Sequence, residues 1–361
     1  MVRYLFFFSY FGTRYSGMQS QSARGMFNPR TVTIADVFER ALKILKPKNI
    51  PLLYVSSRTD TGVHALRSAA AADLHHENPG QYYPAETLVY ALNHYFSEHG
   101  QDIRVTSAQI VPETFNVRHA RRRTYLYRLA VKYDIPNSKL LPFVPRGAVA
   151  ATLVPLVESK TTWFLGPPFD HRAMVSAARL FLGLHDFRTF SKPPRIGDIP
   201  RNPVRFMEIC DVSPGKGFLA EHDRHQDGIE YWDITFRSSG FLQRQVQDAY
   251  SASVGLLPVE KQRIRRMIGA LVGVAKGRIQ EKDIQEMLNT PDPYGYHKAL
   301  TQAPSEGLFL KDVEFDDKNL TLPPDYFDVI VKHKKSYTFK SAIEYERLFR
   351  LLDRRLDQLL A

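Results

Sequence analysis

Arg58-Thr59-Asp60-Thr61-Gly62-Val63-His64-Ala65 is the stretch from which the chain is read. The residues before it, Pro51-Leu52-Leu53-Tyr54-Val55, are apolar and partly β-branched and predict a strand over 51–57. The octet then forms a tight loop where that strand ends, and a second strand over 68–74 leaves it. Read alone, Asp-Thr-Gly is ordinary turn chemistry. The whole octet is more specific: it sets one carboxylate, Asp60, between an arginine and a histidine. Such a carboxylate can be held ionised at a fixed angle.

Outward from the octet, strand and helix patterns alternate. Ile34, Val37, Phe38, Ala41, Leu42 and Leu45 predict a helix near 32–46, and Leu88, Ala91, Leu92, Tyr95 and Phe96 a second one. Ile103 to Val111 alternates as a strand. The start, Val2 to Phe8, reads as a buried strand; polar Ser9 and Tyr10 and the lack of a small-residue cleavage site argue against a signal peptide. These elements build a first α/β domain over 1–112. A second domain over 113–320 repeats the plan, with strands at 124–131, 204–209 and 231–236 and a strand beginning at Leu308. Its helices are marked by Met174 to Leu182 and by Met267 to Ala275. Residues 135–169 are Pro-rich and predict long loops. A tail over 321–361 carries Phe349, Leu352, Leu356, Leu359 and Leu360 at helical spacing and is read as an amphipathic helix packed on the body.

The chain has 361 residues and a formal net charge of +11. That surplus favours a polyanionic partner, because phosphate contacts release counterions. The single cysteine, Cys210, excludes an intrachain disulfide and a Cys-based zinc site. It also argues against a zinc-dependent nucleobase deaminase. His75-His76-Glu77 is no metal site, since adjacent strand residues point to opposite faces. No apolar run approaches the roughly 20 residues of a membrane helix. An intracellular setting is expected: cytoplasm, nucleus or mitochondrion.

The octet matches Arg-Thr-Asp-x-Gly-Val-His-Ala, and with it the chain resembles the TruA-type tRNA pseudouridine synthases. Further motifs recur in order over roughly residues 3 to 315. They are Tyr10 to Gln21 (with Met18 where the family usually has Trp), Ala91-Leu92-Asn93, Phe115 to Ala120 followed by Arg123-Thr124-Tyr125-Leu126-Tyr127, Gly183 to Phe187, and Ala303-Pro304-Ser305-Glu306-Gly307-Leu308. The resemblance implies an α+β fold: two similar α/β domains with mixed sheets side by side around a basic central cleft. It implies isomerisation of uridine to pseudouridine in the tRNA anticodon stem-loop, with mRNA a further candidate, a homodimer, and no cofactor or metal.

Residue by residue, the resemblance makes Asp60 the nucleophile. Tyr125 is expected to stack on the uracil and aid proton transfer, with Tyr127 in the core. Arg58 contacts RNA and fills the space of the flipped nucleotide. Gln19, His64, Asn93, Arg118, His119, Arg121, Arg122 and Arg123 are assigned to RNA binding, the last five as a basic cluster.

One departure stands out. The family's Phe-Leu-x-x-x-Val-Arg-x-x-x-Gly helix is split here into Phe241-Leu242-Gln243-Arg244-Gln245-Val246 and Arg265-Arg266-Met267-Ile268-Gly269. Residues 247–264 between them read as an insert, either a loop or spurious sequence, and Pro258 fits poorly in a helix interior. The resemblance then makes Arg265 the partner of Asp60. The alternative function is a non-catalytic RNA-binding protein on the same fold, disabled by the insert.

Overall fold

A computed structural model describes residues 1–20, 31–78, 80–133, 154–191, 193, 202–218, 228–239, 260–324 and 326. The strands are β1 (Val2–Tyr10), β2 (Leu53–Val55), β3 (His64–Leu74), β4 (Ile103–Val111), β5 (Arg122–Lys132), β6 (Trp163–Leu165), β7 (Gly183–Asp186), β8 (Val204–Pro214), β9 (Ile229–Ser239) and β10 (Leu308–Glu314). The helices are α1 (Ile34–Lys43), α2 (Ala85–Glu98), α3 (His171–Ala178), α4 (Glu260–Ala275) and α5 (Glu281–Asn289). The architecture is α+β.

All ten strands join one mixed sheet, ordered β4-β1-β3-β10-β5-β9-β8-β7, with β2 added to β3 and β6 to β5. The two sheets expected side by side are therefore continuous. The division expected after residue 112 falls in the turn between β4 and β5. The link is β10, which pairs antiparallel with β5 and parallel with β3 through Phe309 opposite His64 and Leu310 opposite Ala65. β3 can serve three neighbours because β10 takes its first residues, β2 takes Ala70 to Ala72, and β1 runs along its other edge.

β1 is buried on both faces, as a central strand should be. Tyr4, Phe6 and Phe8 point one way, and the Phe6 and Phe8 rings meet Phe38 of α1, which also meets Phe96 of α2. On the other face Phe7 is covered by Phe315 and by the Arg67 guanidinium, 3.9 Å from its ring centre. α1 starts at a capping box formed by Thr33 and Asp36. In the second half, α3 packs on α4 and β8, and their buried faces include Met174, Met267 and Leu271.

Several boundaries differ from the sequence reading. β3 begins at His64, so the octet's last two residues are already strand. β6 lies inside the stretch expected to be loops. β7 and α5 were not anticipated, although Ile284, Met287 and Leu288 share a buried helix face behind a capping box of Gln280 and Asp283. Of the expected insert, residues 260–264 are the first turn of α4, continuous with Arg265. Residues 247–259, Arg244, and the tail beyond 326 lie outside the described residues. No helix among the described residues is long and apolar enough to cross a membrane.

Phe38 is fully buried where α1 and α2 meet the sheet. Phe38→Ala is expected to cost about 3–5 kcal/mol, read as a lower denaturation midpoint in urea.

Candidate active site

The octet is tied down residue by residue. Ser56 donates its backbone N–H to Ala69 O, 3.0 Å away. The Arg123 guanidinium grips the same approach, donating to Ser57 Oγ at 2.8 Å and to Ser56 O at 2.9 Å. Thr59 is held on two sides: its hydroxyl lies 2.7 Å from Tyr10 Oη, and its carbonyl accepts from Met18 N–H at 3.0 Å. A turn follows, closed by Val63 N–H to Asp60 O at 3.2 Å. Gly62 supplies the positive φ of 80° that this turn needs. The result presents Asp60 at the start of β3.

His64 is fully buried, not at a surface where RNA was expected to meet it. Its Nδ1 accepts from Gly12 N–H at 3.0 Å, and its Nε2 faces Lys160 O at 2.9 Å. A backbone N–H can only donate, so the ring proton sits on Nε2, which donates a hydrogen bond to the Lys160 carbonyl. The ring stacks on Phe309, centroids 4.7 Å apart. Burial pushes its pKa below the ordinary imidazole value, against the opposing pull of the Lys160 carbonyl and Glu306.

Asp60 keeps 37% of its side chain exposed, yet its Oδ2 is buried. Among the described residues that oxygen accepts no hydrogen bond; Arg265 Nη1 stands 3.8 Å away. At that distance the contact is an ion pair and not a hydrogen bond. Arg265 is itself fixed by the Ala303-Pro304-Ser305 segment: its Nε donates to Ala303 O at 2.6 Å, and Ala303 N–H donates to Arg265 O at 3.0 Å. Helical phase selects it from its neighbours. Arg263 and Arg266, three residues apart, share a face and donate to Ser191 Oγ and to the Thr189 and Ser191 carbonyls. Arg265 points away from them, toward Asp60.

Strand register carries the site across the sheet. Ala65, Leu310 and Tyr125 lie in one row through β3, β10 and β5. Tyr125 is 3% exposed, and its ring lines a pocket with Arg123, Phe187, Met207, Phe236 and Met267. Tyr127 is fully buried and donates to Pro304 O at 3.1 Å; burial pushes its phenol well above the usual value.

The remaining basic candidates separate. Arg118, His119 and Arg121 are exposed. Arg122 is paired with Glu208 at 2.9 Å and Glu314 at 3.6 Å. Arg123 is 6% exposed, spent on the octet's approach. Asn93 exchanges both amide bonds with the Val105 backbone at 2.8 Å and so staples α2 to β4. Arg58 and Gln19 are half-buried. The Ala303 carbonyl was missed from sequence: its motif was visible, but a backbone contact has no residue signature.

Comparison with known proteins gives the chain its relatives. The family described as "tRNA pseudouridine synthase" matches residues 261–316, the segment holding most of α4, α5 and β10. The "tRNA pseudouridine synthase-like 1" of Xenopus laevis is 32% identical over 323 residues, 88% of this chain and 93% of that protein. Its Mus musculus namesake is 35% identical over 322 residues, 88% of this chain and 94% of that protein. "tRNA pseudouridine synthase A" of Caulobacter sp. (strain K31) is 27% identical over 317 residues, 88% of this chain and 99% of that protein.

Two outcomes are expected. A Cβ at Gly269 of α4 would stand 2.2 Å from Thr301 O. Gly269→Ala should cost about 1–3 kcal/mol in chemical denaturation, by forcing α4 off the segment that holds Arg265. His64 has a folded pKa below its unfolded value of about 6.5, so protons favour the unfolded chain. Its stabilisation is complete above that value and is lost as pH falls below it toward the folded pKa. His76, also lowered by burial, acts in the same sense. The melting temperature should drop between pH 7.5 and 5.5, and His64→Gln should flatten that slope; an unchanged slope would contradict the buried neutral ring.

Proposed function

The chain belongs to the TruA-type tRNA pseudouridine synthase family and is a pseudouridine synthase, an isomerase; from that premise we propose that it acts on uridine in the tRNA anticodon stem-loop with Asp60 as nucleophile. One observation carries the nucleophile. Asp60 is the half-exposed carboxylate at the head of β3, with one oxygen facing Arg265 at 3.8 Å.

In the proposed course the nucleotide is flipped out of its stem, at a cost of a few kcal/mol. Arg58, half-buried two residues before Asp60, supports the extruded state. Asp60 forms a bond to the nucleoside while the glycosidic N–C bond breaks. The base turns, and a C–C bond takes the place of the N–C bond as the bond to Asp60 breaks and frees the carboxylate; the ring carbon then loses its proton and the freed nitrogen gains one. Atoms and electrons balance within the substrate, so no cofactor is invoked. Arg265 orients the carboxylate and offsets its charge before attack. Tyr125, lining the neighbouring pocket, supplies the ring against the uracil.

Arg118, His119 and Arg121 are the exposed part of the basic cluster and form the proposed phosphate-binding edge. His64, Asn93 and Arg123 act as scaffold in this reading. The alternative of a non-catalytic RNA-binding protein is disfavoured by the Asp60–Arg265 pair, since α4 runs unbroken from residue 260 through Arg265. A homodimer and additional mRNA substrates rest on the resemblance alone.

Purified protein incubated with unmodified tRNA, followed by pseudouridine mapping at nucleotide resolution, tests this. The wild type should modify the anticodon stem-loop, and Asp60→Asn should fall to background while still binding tRNA. Activity retained by Asp60→Asn would remove it as nucleophile; modification confined to another arm would overturn the site assignment.

A further inference from the structure

Glu158 is a fully buried carboxylate in the turn that precedes β6, far along the chain from the octet. A lone buried charge is costly, and this one is heavily compensated. Its Oε2 accepts from Arg128 Nη1 at 3.0 Å, Thr162 Oγ1 at 2.9 Å and Thr161 Oγ1 at 3.3 Å. Its Oε1 accepts from Phe218 N–H. The turn is wound around it: Glu158 N–H donates to Pro155 O and Thr161 N–H to Glu158 O, both 3.0 Å. Arg128, on β5, is fixed in turn by Lys216 O at 2.7 Å and by Asp233 at 3.7 Å. The carboxylate thus clamps this turn to the middle of the sheet.

Two residues along the same turn, the Lys160 carbonyl accepts a hydrogen bond from the His64 Nε2–H. His64 passes the constraint on, because its Nδ1 holds Gly12 N–H and its backbone opens β3 directly after the loop bearing Asp60. Beside the Arg123 grip on Ser56 and Ser57 and the β10 pairing at His64 and Ala65, Asp60 is related to the second half of the chain directly at Arg265 and through His64 at Lys160. The Arg265 contact is a single ion pair at 3.8 Å. The Lys160 contact is a hydrogen bond at 2.9 Å behind a buried clamp, and it limits how far the loop can shift away from Arg265.

We propose that Glu158 is a positioning residue for Asp60, acting through the Lys160 carbonyl and His64 to hold the catalytic loop in register with Arg265. It touches neither substrate nor reacting atoms. The inference rests on the pseudouridine synthase reading above. A shift of about 1 Å at a reacting group can cost as much as a hundredfold in rate, so a clamp of this kind should be visible in kcat.

Glu158→Gln places an amide donor among groups that already donate to the carboxylate, which loosens the turn. At a temperature where wild type and variant are both fully folded, its kcat for tRNA pseudouridylation should fall about tenfold or more, with KM for tRNA unchanged. His64→Phe keeps the ring stack and breaks the relay, so it should lower kcat similarly. The double variant should be no slower than the slower single one, the non-additive result of a shared path. A purely structural Glu158 would leave kcat intact below the melting temperature, or would give a double variant slowed by the product of the singles; either result overturns the proposal. Should Glu158→Gln not fold, Thr162→Val, which removes one of its donors, is read in the same cycle against the same outcomes. An inactive wild type overturns both the functional reading and this inference. An active wild type with unperturbed variants overturns this inference alone.

Discussion

The structure depends on β10 lying between β3 and β5. That strand comes from the end of the described chain, and its contact with β3 is only two residue pairs long, Phe309 with His64 and Leu310 with Ala65. Parallel strands need a long connection, and here the chain from α2 through α5 supplies it. The pairing converts two strand sets into one sheet. It also joins them at the residue where the octet becomes strand. His64 stacks on Phe309 at this joint, and Tyr125 lies one strand further along the row. The loop that carries Asp60 therefore stands over the seam and draws its partners from both sides.

Charge at the seam is handled mostly with backbone carbonyls. Arg265 donates to Ala303, Arg123 to Ser56, and Arg266 to Thr189 and Ser191. Carbonyls satisfy donors without neutralising the cation. Arg265 consequently keeps its charge available to Asp60 while its position is set by a neutral group. Glu158 is the converse case: a buried anion matched by one arginine, two hydroxyls and a backbone N–H. Cations meeting carbonyls and an anion meeting donors fit the same rule, that buried polar groups persist where their hydrogen-bonding capacity is used.

Much of the fold was legible in the sequence. The helical faces of α1 and α2 and the strands β1, β4, β5, β8 and β9 followed from periodicity, because those elements each bury one face or a continuous run. β6 and β7 were not anticipated because strands of three or four residues carry no periodic signal. α5 was missed although its apolar spacing is regular; it is short and lies in a polar stretch. In the site, Asp60 stood out through the octet, and Arg265 through a motif interrupted in sequence. The surface of the basic cluster was only partly readable. Arg118, His119 and Arg121 are exposed, while Arg122 and Arg123 in the same run turn to Glu208 and to Ser56 and Ser57. Adjacent residues on a strand point to opposite faces, so a run of arginines could not act as one patch.

By itself the sequence determined the chemistry on offer: one carboxylate in a specific octet, a basic surplus, a lone cysteine, and the order of motifs that identifies the family. Tertiary structure alone decided which side chains use that chemistry. Arg265 meets Asp60, and Arg263 and Arg266 do not, because helical phase and the Ala303 carbonyl select one direction. His64 is buried because folding places it between Gly12 and Lys160. Glu158 enters only because β5 brings Arg128 to it. Each of these contacts joins residues far apart in the chain, and a residue's partners at such separations are set by strand register and packing, which local sequence does not encode.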